Sequence, residues 1–144
     1  MSFKVYETKT YQNCYNEWGE ADKDEITQVR KILTFLAANL RRASNRSNFS
    51  QIIEVDLDYV YEIGERQDWL CALTGEDLEF TRGGTYWGGK WCNPKSCTID
   101  RIDSSKGYIE GNIQLVTWEA NFHKQNIPND EFIEFCEAVT WWNK

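Results

Sequence analysis

Apolar residues recur along the chain at helical spacing in two places and as short runs between them. Ile26, Val29, Leu33, Leu36 and Leu40 fall at three- and four-residue steps, which predicts an amphipathic helix starting near Asp22. Asp22, Asp24 and Glu25 in its first turn and Arg41 and Arg42 near its end suit the helix dipole. The polar run at 44–48 ends it. Ile52, Ile53 and Val55 predict a short extended segment, and Asp56 caps a second helix with Leu57, Val60, Tyr61 and Ile63 on its inner side. Cys71-Ala72-Leu73-Thr74-Gly75 reads as a strand end and tight turn. The glycine pairs Gly83-Gly84 and Gly88-Gly89 predict a surface hairpin over 81–94. Next come a strand carrying Asp100, a turn at Lys106-Gly107-Tyr108, an apolar run over 112–116 and a helix over 117–125. A last helix is expected over 130–142, with Phe132, Phe135, Cys136 and Val139 as its apolar stripe and Asn129 as its cap. Residues 1–18 show no period and are expected to form an irregular arm.

Strands interleaved with helices place the chain in the α+β class. At 144 residues and 41% hydrophobic content it is long enough for one domain with a real core and too short for two. Within residues 1–144, an arm and helices occupy 1–68, a central unit 69–126 and a C-terminal helix 127–144. No apolar run approaches the roughly 20 residues of a membrane span, and the first residues lack a signal-peptide core, so a cytoplasmic protein is expected. The five cysteines are odd in number and irregularly spaced, which argues for thiols rather than a disulfide framework. Cys92 and Cys97 lack a second pair of ligands, so no structural zinc is expected.

The net charge of −7 argues against a nucleic-acid partner when taken alone. Its distribution changes the picture. From Ile26 to Ile53 there is no acid, while Arg30, Lys31, Arg41, Arg42 and Arg46 all fall in that stretch. A local basic surface can sit on an acidic protein, although such a run is more often a solvated helix face.

The densest chemistry lies over 99–124, IDRIDSSKGYIEGNIQLVTWEANFHK. Asp100 offers a carboxylate from a strand and Asn121 an amide oxygen from the following helix, both ligand types that hard cations accept. Helical spacing puts Trp118, Asn121, Lys124 and Gln125 on one face, turned toward the strand of Asp100, where Lys124 could bind a phosphate. One divalent cation held by two such oxygens could support phosphodiester hydrolysis. Taken singly, Asp100 is as well explained as a strand-end acid and Asn121 as a surface polar residue.

The ordered elements Asp100-Arg101-Ile102-Asp103, Lys106-Gly107-Tyr108, Gly111-Asn112 and Asn121-Phe122-His123-Lys124 resemble the HNH nuclease motif. This motif is also called the His-Me finger or ββα-metal unit, and the likeness is to its phage and bacterial Asp-Arg-Ile-Asp subgroup. Weaker similarity extends upstream through Gln67, residues 71–75 and Leu78, and downstream into the last helix. The resemblance implies a small ββα-metal unit flanked by helices, and a phage-type endonuclease acting on DNA with Mg²⁺ or Mn²⁺. By residue, it implies Asp100 and Asn121 as metal ligands, Asn112 as a brace for the loop between strands, and Arg101 and Lys124 as phosphate contacts. Arg41, Arg42, Arg46 and Lys106 are the expected further nucleic-acid contacts.

Two departures bear on that implication. Of a zinc knuckle common in the family, Cys71 matches the first ligand while Thr74, Thr117 and Ala120 stand at the other three. The family's general base is a histidine directly after the metal-binding Asp, and here that residue is Arg101, which stays protonated and cannot accept a proton from water. His123 lies roughly 200° around the helix from Asn121 and should point away. Tyr86 and Tyr108 are candidates only if their loops cover the site, and Asp103 is better explained as a turn cap. Trp118, Trp141 and Trp142 are assigned to core packing rather than base stacking. The alternative function is a module that keeps the fold without catalysis, binding nucleic acid or a host protein in counter-defence.

Overall fold

The computed structural model describes residues 3–45, 52–83, 85–87 and 90–144, with backbone alone for 85–87, 90 and 91. Arg46 and the side chain of Tyr86 lie outside the described residues. The expected α+β class is observed: helices at both ends enclose two-stranded antiparallel sheets.

The core is organised on α2 (Lys23–Asn45), which buries Val29, Ile32, Leu33, Leu36, Ala37, Leu40 and Ala43 along one stripe. Asp22 caps it by accepting the Glu25 N–H at 2.9 Å. Against α2 pack α3 (Leu57–Arg66) and β3 (Cys97–Arg101). Asp56 caps α3 through the Tyr59 N–H, and Leu57 and Val60 are buried behind it. Gly64 of α3 is required by packing: a Cβ there would come within 2.1 Å of the Trp69 ring. The first residues are more ordered than a patternless arm. A 3-10 turn (Val5–Glu7) leads into α1 (Lys9–Gln12), and Asp58 of α3 accepts the N–H groups of Lys9 and Thr10 at 3.0 and 2.8 Å.

The hairpin expected over 81–94 is present as β1 (Thr85–Trp87) and β2 (Lys90–Cys92). β3 pairs antiparallel with β4 (Ile113–Thr117), in a register that sets Asp100 opposite Gln114. Every residue of β4 is buried. Thr117 ends it and caps α4 (Trp118–Lys124), accepting the Ala120 N–H at 3.2 Å. β3, β4 and α4 therefore follow one another with no insertion between strand and helix. Gly107 lets the intervening loop approach the 52–54 segment. Tyr108 N–H donates to the Ile52 carbonyl at 2.7 Å, and a Cβ on Gly107 would meet that oxygen at 2.4 Å.

α5 (Asn129–Trp142) departs from expectation. Pro128, not Asn129, is its N-cap, with no side-chain cap bond, and the helix has no buried residue. Its stripe faces solvent, with Phe135 65% and Val139 46% exposed. Trp141 and Trp142 are 74% and 80% exposed, so they do not pack in the core to which their size assigned them. An apolar stripe is a local property; whether another element covers it depends on where the chain directs the helix. Among the described residues no helix is long and apolar enough to cross a membrane.

Candidate functional site

Asp100 sits near the end of β3 and is 6% exposed. A carboxylate so deep needs compensation, and its Oδ2 has two donors: Lys124 Nζ at 3.0 Å and Gln114 Nε2 at 2.9 Å. Lys124 is fully buried, and its ammonium also donates to the Arg101 carbonyl at 3.0 Å. This corrects its expected role. A lysine with no exposed surface, paired to an internal carboxylate, is a counter-charge that holds Asp100 and does not meet a phosphate in solvent. Gln114 completes the arrangement. One amide proton goes to Asp100 and the other to Asn129 Oδ1 at 3.0 Å, while its oxygen accepts from Asn129 Nδ2 at 3.0 Å. The N-terminus of α5 is thereby tied to the carboxylate.

Asn121 lies on α4, one turn before Gln125. Its orientation follows from proton counting. Thr98 Oγ1 donates its single proton to the Val116 carbonyl at 3.1 Å, so it must accept from Asn121 Nδ2 at 3.2 Å. Asn121 Oδ1 then has no protein donor among the described residues, and neither has Asp100 Oδ1. Both residues line one cavity of about 240 Å³, together with Arg101, Ser104, Tyr108, Trp118 and Gln125. The expected pair thus meets on one space.

Arg101 borders that cavity at the end of β3. Its Nη1 donates to the Ser104 carbonyl at 3.0 Å and the Lys106 carbonyl at 3.4 Å, and its guanidinium lies 5.4 Å over the Tyr108 ring. Asn112 ties the same loop: its Oδ1 accepts the Asp103 N–H, and its Nδ2 donates to the carbonyls of Asp103 and Gly107, all within 3.0 Å. Asp103 caps the turn, accepting from the Ser105 N–H and hydroxyl at 2.9 and 2.6 Å. Those bonds hold its carboxyl below the usual aspartate range. Lys106 is exposed on this loop.

The other expected residues diverge. Arg41 lines a separate cavity with Phe3 and Lys4, whereas Arg42 faces the side of Asn121. His123 borders the cleft between α4 and α5, away from Asp100. Tyr108 is 4% exposed beneath Arg101. At the knuckle positions, Cys71 Sγ accepts the Thr117 N–H at 3.3 Å. Burial pushes the Cys71 thiol up, but hydrogen bonds from Thr74, Thr117 and Leu73 outweigh it and set the thiol below its ordinary value. No disulfide links the described cysteines.

Gln114, Thr98 and Asn129 were missed in the sequence. Gln114 carried a signal, as the one polar side chain inside an apolar strand run. The other two become meaningful only once the register and the path of α5 are known.

Among the described residues no three His, Cys, Asp or Glu side chains cluster as a metal cage. The donor set here is one carboxylate oxygen and one amide oxygen. That fits a hard cation of the Mg²⁺ type, which keeps several waters and takes remaining ligands from a bound phosphate. Because Lys124 balances the Asp100 charge, the pair alone attracts a free cation weakly. No family model matches the chain, and no curated protein or solved structure matches it.

Proposed function

We propose that the protein is a divalent-cation-dependent endonuclease of the HNH type, hydrolysing phosphodiester bonds in DNA. The observation that carries this reading is the shared cavity lined by Asp100, Asn121 and Arg101, the first two each having a side-chain oxygen without a protein donor among the described residues. Asp100 and Asn121 would hold the cation, which when bound polarises the phosphate and offsets charge on the departing oxygen. Lys124 and Gln114 keep Asp100 oriented. Arg101 orients the phosphate and stabilises transition-state charge, since a guanidinium cannot remove a proton. Asn112 keeps the 101–107 loop in place around it.

A second reading has one observation in its favour: the residue after Asp100 is a permanent cation engaged with two loop carbonyls, and among the described residues no histidine lines the cavity beside it. On that reading the site binds a phosphate without cleaving it.

Plasmid cleavage with Mg²⁺, Mn²⁺ or EDTA separates the two. The informative variant is Asn121→Ala, because Asp100→Ala would strand the buried Lys124 and confound activity with stability. Cation-dependent product from the wild type, reduced about 100-fold or more in Asn121→Ala, supports the nuclease. Absence of product with every ion favours the second reading.

A further inference from the structure

The cavity at Asp100 does not end at Asn121. A second cavity, of about 340 Å³, shares Ile99, Tyr108, Trp118 and Asn121 with it, so the two form one groove across the start of α4. The far part is lined by Asn39, Arg42 and Arg82. Among the described residues the charged lining of the whole groove is three arginines and one carboxylate, and Lys124 already neutralises that carboxylate. In a protein of net charge −7 this is a concentration of positive charge against the general balance.

Both outer arginines are held in place. Arg82 lies 5.6 Å over the Phe35 ring, which packs edge-on against Phe80, itself edge-on to Trp69. Arg42 donates to Asn39 Oδ1, and Asn39 Nδ2 donates to the Cys97 carbonyl of β3 at 3.1 Å. Neither arginine has an acidic partner among the described residues, and both are exposed. Guanidinium groups fixed by an aromatic face or an amide, and left without a counter-charge, are suited to phosphate oxygens.

We infer that the second cavity is a subsite for a phosphodiester chain. One nucleic-acid strand runs from the Asp100–Asn121 end past Trp118, and its next phosphates are held by Arg42 and Arg82. This rests on the nuclease reading of the first cavity and adds the path of the bound strand. It also divides two neighbours on α2: Arg42 contacts the strand, whereas Arg41, in a separate cavity, does not.

The test is fluorescence anisotropy of an end-labelled single-stranded DNA in EDTA, where binding is read without cleavage, over a series of salt concentrations. The proteins are wild type, Arg42→Ala/Arg82→Ala, Arg82→Glu and Arg41→Ala. The double variant is expected to bind about ten-fold more weakly, with the salt slope reduced by roughly 1.4 for two lost single-strand phosphate contacts. Arg82→Glu should lose at least as much affinity as the double variant, and Arg41→Ala should match wild type. Equal binding by wild type and the double variant would overturn the subsite, as would an equal loss in Arg41→Ala. No DNA binding by wild type would overturn it together with the nuclease reading. No cleavage by the wild type with any ion, with binding still dependent on Arg42 and Arg82, would remove the nuclease reading and leave the subsite standing.

Discussion

The two sides of α4 are built on opposite principles. Trp118, Asn121 and Gln125 look into the groove, where Asp100 is held by Lys124 and Gln114, Asn121 by Thr98, and arginines supply the charge. Ala120 and His123 look into the cleft below α5, a space of about 1320 Å³. The charge there is mainly glutamate, from Glu76, Glu119, Glu134 and Glu137, and the apolar stripe of the facing helix is uncovered. The groove is held from within, by a buried ion pair and amide bonds that leave few alternative arrangements. The cleft is open on one side, and among the described residues the side-chain hydrogen bonds from α5 to the rest of the fold are those of Asn129 with Gln114. The difference teaches that polar satisfaction, more than apolar content, positions the candidate site.

The largest effect should come from removing the internal counter-charge. Lys124→Met leaves Asp100 buried and unpaired, and should lower stability by about 3–5 kcal/mol in chemical denaturation. A loss below roughly 1 kcal/mol would mean that the groove is as loosely held as the cleft. A smaller effect separates the two sides by pH. Asp103 has a folded pKa below its unfolded value, so its turn bonds contribute fully above about pH 3.9 and are lost as pH falls through the lower folded value. The Ser105 amide resonance should therefore titrate with a midpoint below the usual aspartate range, and Asp103→Asn abolishes that step. The smallest effect belongs to the cleft. Trp141→Ala/Trp142→Ala should change stability by no more than about 0.5 kcal/mol, because these rings bury little surface in the folded chain. A loss of several kcal/mol would show that α5 packs on the body in solution, and would end the contrast.

Periodicity and capping chemistry determined much of the molecule unaided. The stripe from Val29 to Leu40, the Asp56 cap, the glycine-flanked hairpin and the placement of Asn121, Gln125 and His123 around α4 follow from sequence spacing, because each depends on residues within a turn or two. Asp100, Asn112 and Asn121 were legible as a group only through the resemblance of their ordered segments to the HNH motif, because no local rule links residues so far apart in the chain. Tertiary structure decided the rest. Lys124 became an internal counter-charge because β3 and α4 close over it. Gln114 entered the site because the strand register sets it opposite Asp100, and Arg42 and Arg82 meet only where α2 passes the loop before β1. The exposure of α5 belongs with these, since a helix's own residues specify which face is apolar but not what lies against it.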